Sequence, residues 1–379
     1  MSASYDLICL SHLRWDFVYQ RPQHLISRFA PQHRVFFVEE PVFDSETPWL
    51  HVTPRPGGVQ VLVAHLPWGP TEVEHGQMYR RLLGDFMREN DVTEYVLWYY
   101  TPMMVSWTED LTPQAVVFDV MDELASFAGA HPELRGREAK LLARADLVFA
   151  GGPSLYEGKK DRHPRVYYFA SAVDVPHFAQ ARQGPDGPAD QKDIPHPRLG
   201  FFGVLDERID FDLLAGVADL KPDWQWIMVG PVSGKIPESA LVQRPNVHYL
   251  GGKDYNDLPA YLAGWDVAMM PFARNEATRN ISPTKTPEYL AAGKPVVSTS
   301  IRDVVSLYGE QGLVRVADTP EEFVAACEAA MHEDAAERLS RVDPLLAEMS
   351  WDKIWGQIHD LIGGVVSKTE ARAEARKGD

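Results

Sequence analysis

Two runs of alternating strand-like and helix-like segments, split by one proline- and glycine-rich break, limit what this chain can fold into. Before the break, short apolar runs at 5–10, 34–38, 95–99, 115–118, 146–150 and 166–169 read as strands, and 22–30, 77–89 and 132–143 carry helical spacing. The break spans 180–197, with Pro185, Pro188, Pro195 and Pro197 beside Gly184 and Gly187. After it, strands are predicted at 199–204, 225–229, 247–250, 267–270, 296–299 and 313–316, with helices at 211–220, 258–263, 287–292 and 320–331. Such alternation predicts parallel sheets with crossover helices. It divides the chain into an α/β domain over 1–178, a linker over 179–197 and a second α/β domain over 198–348. A helix at 349–366 crosses back, and a charged tail over 367–379 is expected to fray. Ligands of open parallel sheets sit beyond the carboxyl ends of the strands, so two facing domains make one cleft between them.

Charge narrows the partners. Over 379 residues the formal net charge is -17, which disfavours nucleic acid and acidic lipid as main partners. An anionic ligand then needs a local positive pocket. Cys9 and Cys327 lie in apolar context and read as buried thiols rather than a disulfide framework. Neither a basic, apolar leader nor an apolar run long enough to span a bilayer is read in the sequence. No cluster shows metal-ligand spacing, so no metal or other cofactor is expected. Asp210-Phe211-Asp212 reads as a helix cap with a first-turn acid.

The segment from Ser282 to Val297 carries the most chemistry. It reads as a loop, a short helix, a glycine stop and a buried strand. Backbone N–H groups at Ser282, Pro283 and Thr284 are placed to meet an anion where the loop enters the helix, proline excepted because it has no N–H. Lys285 and Glu288 share a helix face. A cation beside phosphates and a carboxylate one turn deeper suit a nucleotide, the second accepting ribose hydroxyl protons. In the first half, Arg14, Arg21 and His24 follow the first strand and are expected to line the cleft, as are Asp119 and Asp122 after a later one.

Several segments, in order, resemble one family. They are Val148-Phe149-Ala150-Gly151-Gly152-Pro153-Ser154, Ala170 to Phe178 with Val173-Asp174, Gly200-Phe201-Phe202-Gly203, Trp226 to Pro231 with Gly230, Trp265 to Phe272, and the loop through Glu288. Together they resemble the GT-B fold retaining glycosyltransferases of bacterial polysaccharide synthesis. The resemblance implies two Rossmann-like doubly wound domains facing a central cleft. It implies a hexosyltransferase that moves a sugar from a UDP- or GDP-sugar to a saccharide or lipid-linked hydroxyl, with retention. Lys285, Arg208 and Asp122 take the catalytic places, with Arg208 the diphosphate cation of the Asp206-Glu207-Arg208 loop. Glu288, Ser282, Pro283, Thr284, Gly203 and Gly230 form the donor set. The family often has two glutamates eight positions apart; Glu288 fits the second place, and Asn280, or Glu276 on a folded-back loop, takes the first. A cytoplasmic enzyme with peripheral association at the inner membrane face is implied. A sugar-nucleotide epimerase or phosphorylase on the same fold, or a nucleotide-binding scaffold whose catalysis has decayed, stand as alternatives.

Overall fold

The protein was analysed as a computed structural model that describes residues 5–184, 187–234 and 236–378. Pro185 of the expected linker lies outside the described residues. The first sheet holds β1 (Asp6–Ser11), β2 (Val35–Glu39), β3 (Val42–Phe43), β4 (Trp49–Pro54), β5 (Val59–Leu66), β6 (Tyr95–Tyr99), β7 (Ala115–Val120), β8 (Leu147–Ala150) and β9 (Val166–Tyr168). Its order is β3-β5-β2-β1-β6-β7-β8-β9, with β4 antiparallel to β5 and the other pairs parallel. The second sheet holds β10 (Arg198–Phe202), β11 (Gln225–Val229), β12 (Val247–Gly251), β13 (Val267–Met270), β14 (Val296–Ser298) and β15 (Arg315–Val316), in the order β12-β11-β10-β13-β14-β15, all parallel.

Each sheet reverses its winding once, between β1 and β6 in the first and between β10 and β13 in the second. Loops leaving these strands diverge to opposite faces and open a crevice at the carboxyl ends. Apolar strands such as Leu-Ile-Cys-Leu in β1 and Trp-Ile-Met-Val in β11 are buried on both faces, as sheets covered by helices require.

Several features depart from the sequence reading, the short strands Val42–Phe43 and Trp49–Pro54 among them. Val59–Leu66 was not expected as a strand, although a Pro-Gly-Gly turn followed by a valine-rich alternating run signals one. The helix Ala335–Ala347 was also missed; Pro344 lies inside it. The final helix runs from Trp351 to Gly378 instead of fraying at 367, because Thr-Glu-Ala-Arg-Ala-Glu-Ala-Arg-Lys is rich in strong helix formers. Trp351, Ile358, Ile362 and Val366 of this helix join the core on one face of the first sheet. Part of the 179–197 segment is packed rather than free: Gln191 is fully buried, accepts from Trp265 Nε1 at 2.8 Å and donates to the Tyr261 carbonyl at 3.0 Å. Asp210 caps the helix Phe211–Leu220, its carboxylate accepting from Leu213 N–H at 2.8 Å.

Candidate active site

A cavity of about 1260 Å³ lies between the two sheets. Its first wall comes from the loops after β1, β2, β6 and β7, and its second from the loops after β10 and β12 together with the helix Lys285–Ala291. Both winding reversals therefore open onto the same space.

Lys285 and Glu288 meet there. The helix starts at Lys285, so Glu288 sits one turn on and on the same side. Burial pushes the Lys285 ammonium down in pKa, with Glu288 opposing that shift, and burial pushes the Glu288 carboxyl up, with Lys285 opposing. Both residues are half-buried on the cavity wall, and each charge is only partly compensated by the other. Two glycines make room for the lysine. A Cβ on Gly203 would lie 2.2 Å from Lys285 Cε and 2.9 Å from its Nζ, and φ there is 145°. Gly230 stands behind Gly203: a Cβ on it would come within 1.9 Å of the Gly203 carbonyl oxygen. Gly203 lines the cavity, whereas Gly230 supports it from outside the lining.

Arg208 also faces the cavity. Asp206 grips its guanidinium at 2.9 Å (Nε) and 2.7 Å (Nη2), and the group lies 5.6 Å from the centre of the Phe127 ring of the first domain. Glu207 accepts from Ala128 N–H at 3.3 Å, a second link across the boundary. Asp122 is the acid of the first wall. Burial raises its carboxyl pKa to about 6, while Arg208 and Lys285 pull it down and Asp206 pushes it up.

The sign of that shift gives a test. A carboxyl that favours its protonated form in the fold adds stability below the unfolded pKa of about 4, and loses it as pH rises through about 6. Asp122→Asn should therefore melt higher than the wild type above pH 6, with the gap closing near pH 4 in thermal melts. A gap that is constant with pH refutes the raised pKa.

The remaining expected residues divide. Thr284 lines the cavity. Ser282 does not; its side chain bonds Asp303, whose carboxylate also accepts from the Ser154 hydroxyl at 2.5 Å and the Ser154 N–H at 3.3 Å. Gly152 belongs to this junction, since a Cβ there would lie 2.4 Å from Ser282 Cβ. Pro283 precedes the N-cap Thr284, its carbonyl accepting from Thr286 N–H at 3.4 Å. Glu276 points to solvent and pairs with Arg279 at 3.4 Å, and Asn280 is half-buried outside the lining, so neither stands where a sugar-contacting acid was expected.

Three cleft expectations are corrected. Arg21 and Asp119 are 1% and 0% exposed and hold each other: Arg21 Nε reaches both Asp119 oxygens at 3.1 and 3.0 Å, and Nη2 reaches Oδ1 at 2.9 Å. A third donor, Nη1, meets the Phe169 carbonyl at 2.9 Å. The pair ties the helix Arg21–Ile26 to β7, and the third donor ties it to the segment after β9. His24 stacks on Trp351 with centroids 4.7 Å apart, and burial, with Arg28 and His177 adding to it, lowers its pKa to about 3. It is a neutral packing group where the final helix docks. Arg14 does line the cavity, but Glu39 holds it at 2.8 Å and the Glu40 carbonyl at 2.7 Å. His12 and Thr101, on loops that follow strands, and Asp174 of the Val173-Asp174 segment line the cavity, as does Glu40, which carries no sequence signal.

This arrangement of two facing parallel-sheet domains is the GT-B fold. Residues 196–333 match the family model "Glycosyl transferases group 1". The chain is 26% identical over 288 residues to the "Putative teichuronic acid biosynthesis glycosyltransferase TuaH" of Bacillus subtilis (strain 168), which spans 70% of this chain and 71% of that protein. Among solved structures it resembles a sucrose-phosphate synthase from Thermosynechococcus elongatus, with TM-score 0.71, 15% identity and coverage of 96% and 100% of the two chains. It also resembles the E. coli structure described as trehalose-6-phosphate bound with UDP-2-fluoro glucose, with TM-score 0.69, 13% identity and coverage of 94% and 99%. The second domain thus matches the group 1 glycosyltransferase model, and the chain as a whole shares the GT-B fold of these solved structures.

Proposed function

We propose that the chain transfers a sugar from a UDP- or GDP-sugar to a saccharide or lipid-linked hydroxyl, with retention at the anomeric carbon, in polysaccharide or glycolipid synthesis. The observation that carries this reading is the meeting of Lys285, Arg208 and Glu288 in one cavity at the winding reversal of the second sheet. Departure of the nucleoside diphosphate builds negative charge on the β-phosphate. Lys285 and Arg208 stabilise it as preorganised cations in a site where burial strengthens the attraction. A diphosphate beside Lys285 also opposes the downward pull of burial on its pKa, as Glu288 does. Glu288 accepts the ribose hydroxyls. As the bond from the anomeric carbon to the phosphate oxygen breaks, the acceptor oxygen bonds that carbon from the same face, and its proton passes to the departing phosphate. Two protein cations meet the diphosphate, so this route calls on no metal. Work at the inner membrane face fits such acceptors; among the described residues, no helix is long and apolar enough to cross a membrane.

The donor half is tested by ligand-dependent melting. UDP or GDP at about 100 times its dissociation constant should add roughly 2.7 kcal/mol to the native state. That raises the melting temperature by several degrees, and the sugar conjugate of the matching nucleotide should do so too. A flat response to UDP, GDP and their glucose and mannose conjugates overturns the reading.

A further inference from the structure

We infer that Asp303 is a positioning residue for sugar transfer. It fastens the loop at Ser282 to the first domain at Ser154, so Lys285 is held in its working place only while the two domains are apposed. The inference rests on reading Lys285 as the diphosphate cation, and it adds what keeps that cation in place.

The loop needs an outside anchor because its own hold is weak. Thr284, the N-cap of the helix Lys285–Ala291, makes no side-chain capping bond among the described residues. The first backbone bonds of that turn are long, 3.4 Å from Thr286 N–H to the Pro283 carbonyl and 3.3 Å from Glu288 N–H to the Thr284 carbonyl. A helix this short is not stable by itself. The helix Pro153–Lys159 of the first domain has a similar gap, since its N-cap is Gly152, which has no side chain to offer. Asp303 serves both. It follows β14 and is 1% exposed. Its carboxylate accepts from the Ser154 hydroxyl at 2.5 Å and the Ser154 N–H at 3.3 Å, and the Ser282 hydroxyl donates to it as well. One buried carboxylate thus caps a helix of the first domain and holds the loop of the second just before Lys285.

The junction leaves no slack. A Cβ on Gly152 would lie 2.4 Å from Ser282 Cβ and 2.9 Å from Asp303 Oδ2, so the first domain's backbone presses directly on the loop. Asp303, Ser154 and Ser282 all lie outside the cavity lining, so they act on a ligand only through the loop they hold. Parting the domains breaks the Ser154 bonds and opens the carboxylate to water, which then competes with Ser282 for it. The cation that meets the leaving diphosphate is therefore set only when the first domain stands opposite. That arrangement keeps a bound donor from losing its sugar to water in an open cleft.

The test follows amide hydrogen exchange in the full chain, with UDP calorimetry beside it. Ser154→Ala removes one hydroxyl from the opposite domain. Amides of the 286–292 segment should then exchange about tenfold faster, the scale of one hydrogen bond to a charged group, while those of β10 and β11 keep wild-type protection. Asp303→Ala should speed exchange further and bind UDP about tenfold more weakly, as expected when the competent loop position falls to about a tenth of the molecules. Asp303→Asn keeps an oxygen for the Ser154 N–H and should recover most of both losses. Should Asp303→Ala fail to fold, Ser154→Ala still decides the matter. Wild-type exchange over 286–292 in Ser154→Ala overturns the fastening. Faster exchange with unchanged UDP affinity in Asp303→Ala overturns the role in donor binding. A wild type that binds neither UDP nor GDP overturns the nucleotide-sugar reading, and the exchange rates still decide whether the domains share this anchor.

Discussion

Lys285→Ala should lower kcat/KM for sugar transfer about a thousandfold while the protein stays folded. The size follows from removing one preorganised group aimed at developing charge, an effect of roughly 100- to 1000-fold. Lys285 belongs at the upper end because burial amplifies the interaction, and because Arg208 is partly spent on Asp206. Stability should hold for a separate reason. Breaking a buried ion pair is costly when the partner is stranded as a charge. Glu288 escapes that cost, since burial already pushes its carboxyl up and it takes a proton once the ammonium is gone. The variant should therefore melt within a few degrees of the wild type and bind UDP weakly. Initial rates with the donor sugar, read beside thermal melts and UDP calorimetry, check the claim. Wild-type rates in Lys285→Ala would remove the donor site from this loop.

The parts of this site that could be read from sequence are those held within one local segment. Lys285 and Glu288 are three residues apart on one helix, so their meeting needs no knowledge of the rest of the fold. The winding of the sheets was equally legible, because strands buried on both faces leave continuous apolar runs. Direction was not. Arg21, His24 and Asp119 were correctly placed near strand ends, yet a strand end has a cavity side and a sheet side. Arg21 turns back to an acid 98 positions away, a partner no local pattern reveals. Glu40 was passed over for the opposite reason. Val38-Glu39-Glu40-Pro41 looks like a solvated turn, and only the neighbouring Thr101 and Arg14 show the carboxylate turned inward. The first place of the paired-glutamate pattern stayed unreadable because the 273–281 loop folds on itself. Thr278 Oγ1 donates to the Ala273 carbonyl at 2.5 Å and accepts from Asn275 N–H at 3.0 Å, which sends Glu276 outward.

The same correction yields the second large expected effect. Asp119→Ala should destabilise the protein by about 3–5 kcal/mol, the cost of stripping one partner from a buried ion pair. Arg21 cannot shed its proton as Glu288 can gain one, since a guanidinium stays charged inside proteins. With Asp119 gone, a guanidinium that is 1% exposed keeps, among the described residues, the Phe169 carbonyl and a long 3.5 Å contact to Ser171 Oγ. The melting temperature should fall by roughly 10 °C. Replacing both partners, as Arg21→Met with Asp119→Leu, should recover much of that loss, because no charge is then left buried. Activity separates this role from a cleft role. Assayed at low temperature, where Asp119→Ala is still folded, KM for the acceptor should match the wild type, because neither side chain lines the cavity. A variant that melts normally but has lost acceptor affinity would return Asp119 to the cleft and make its bond to Arg21 incidental.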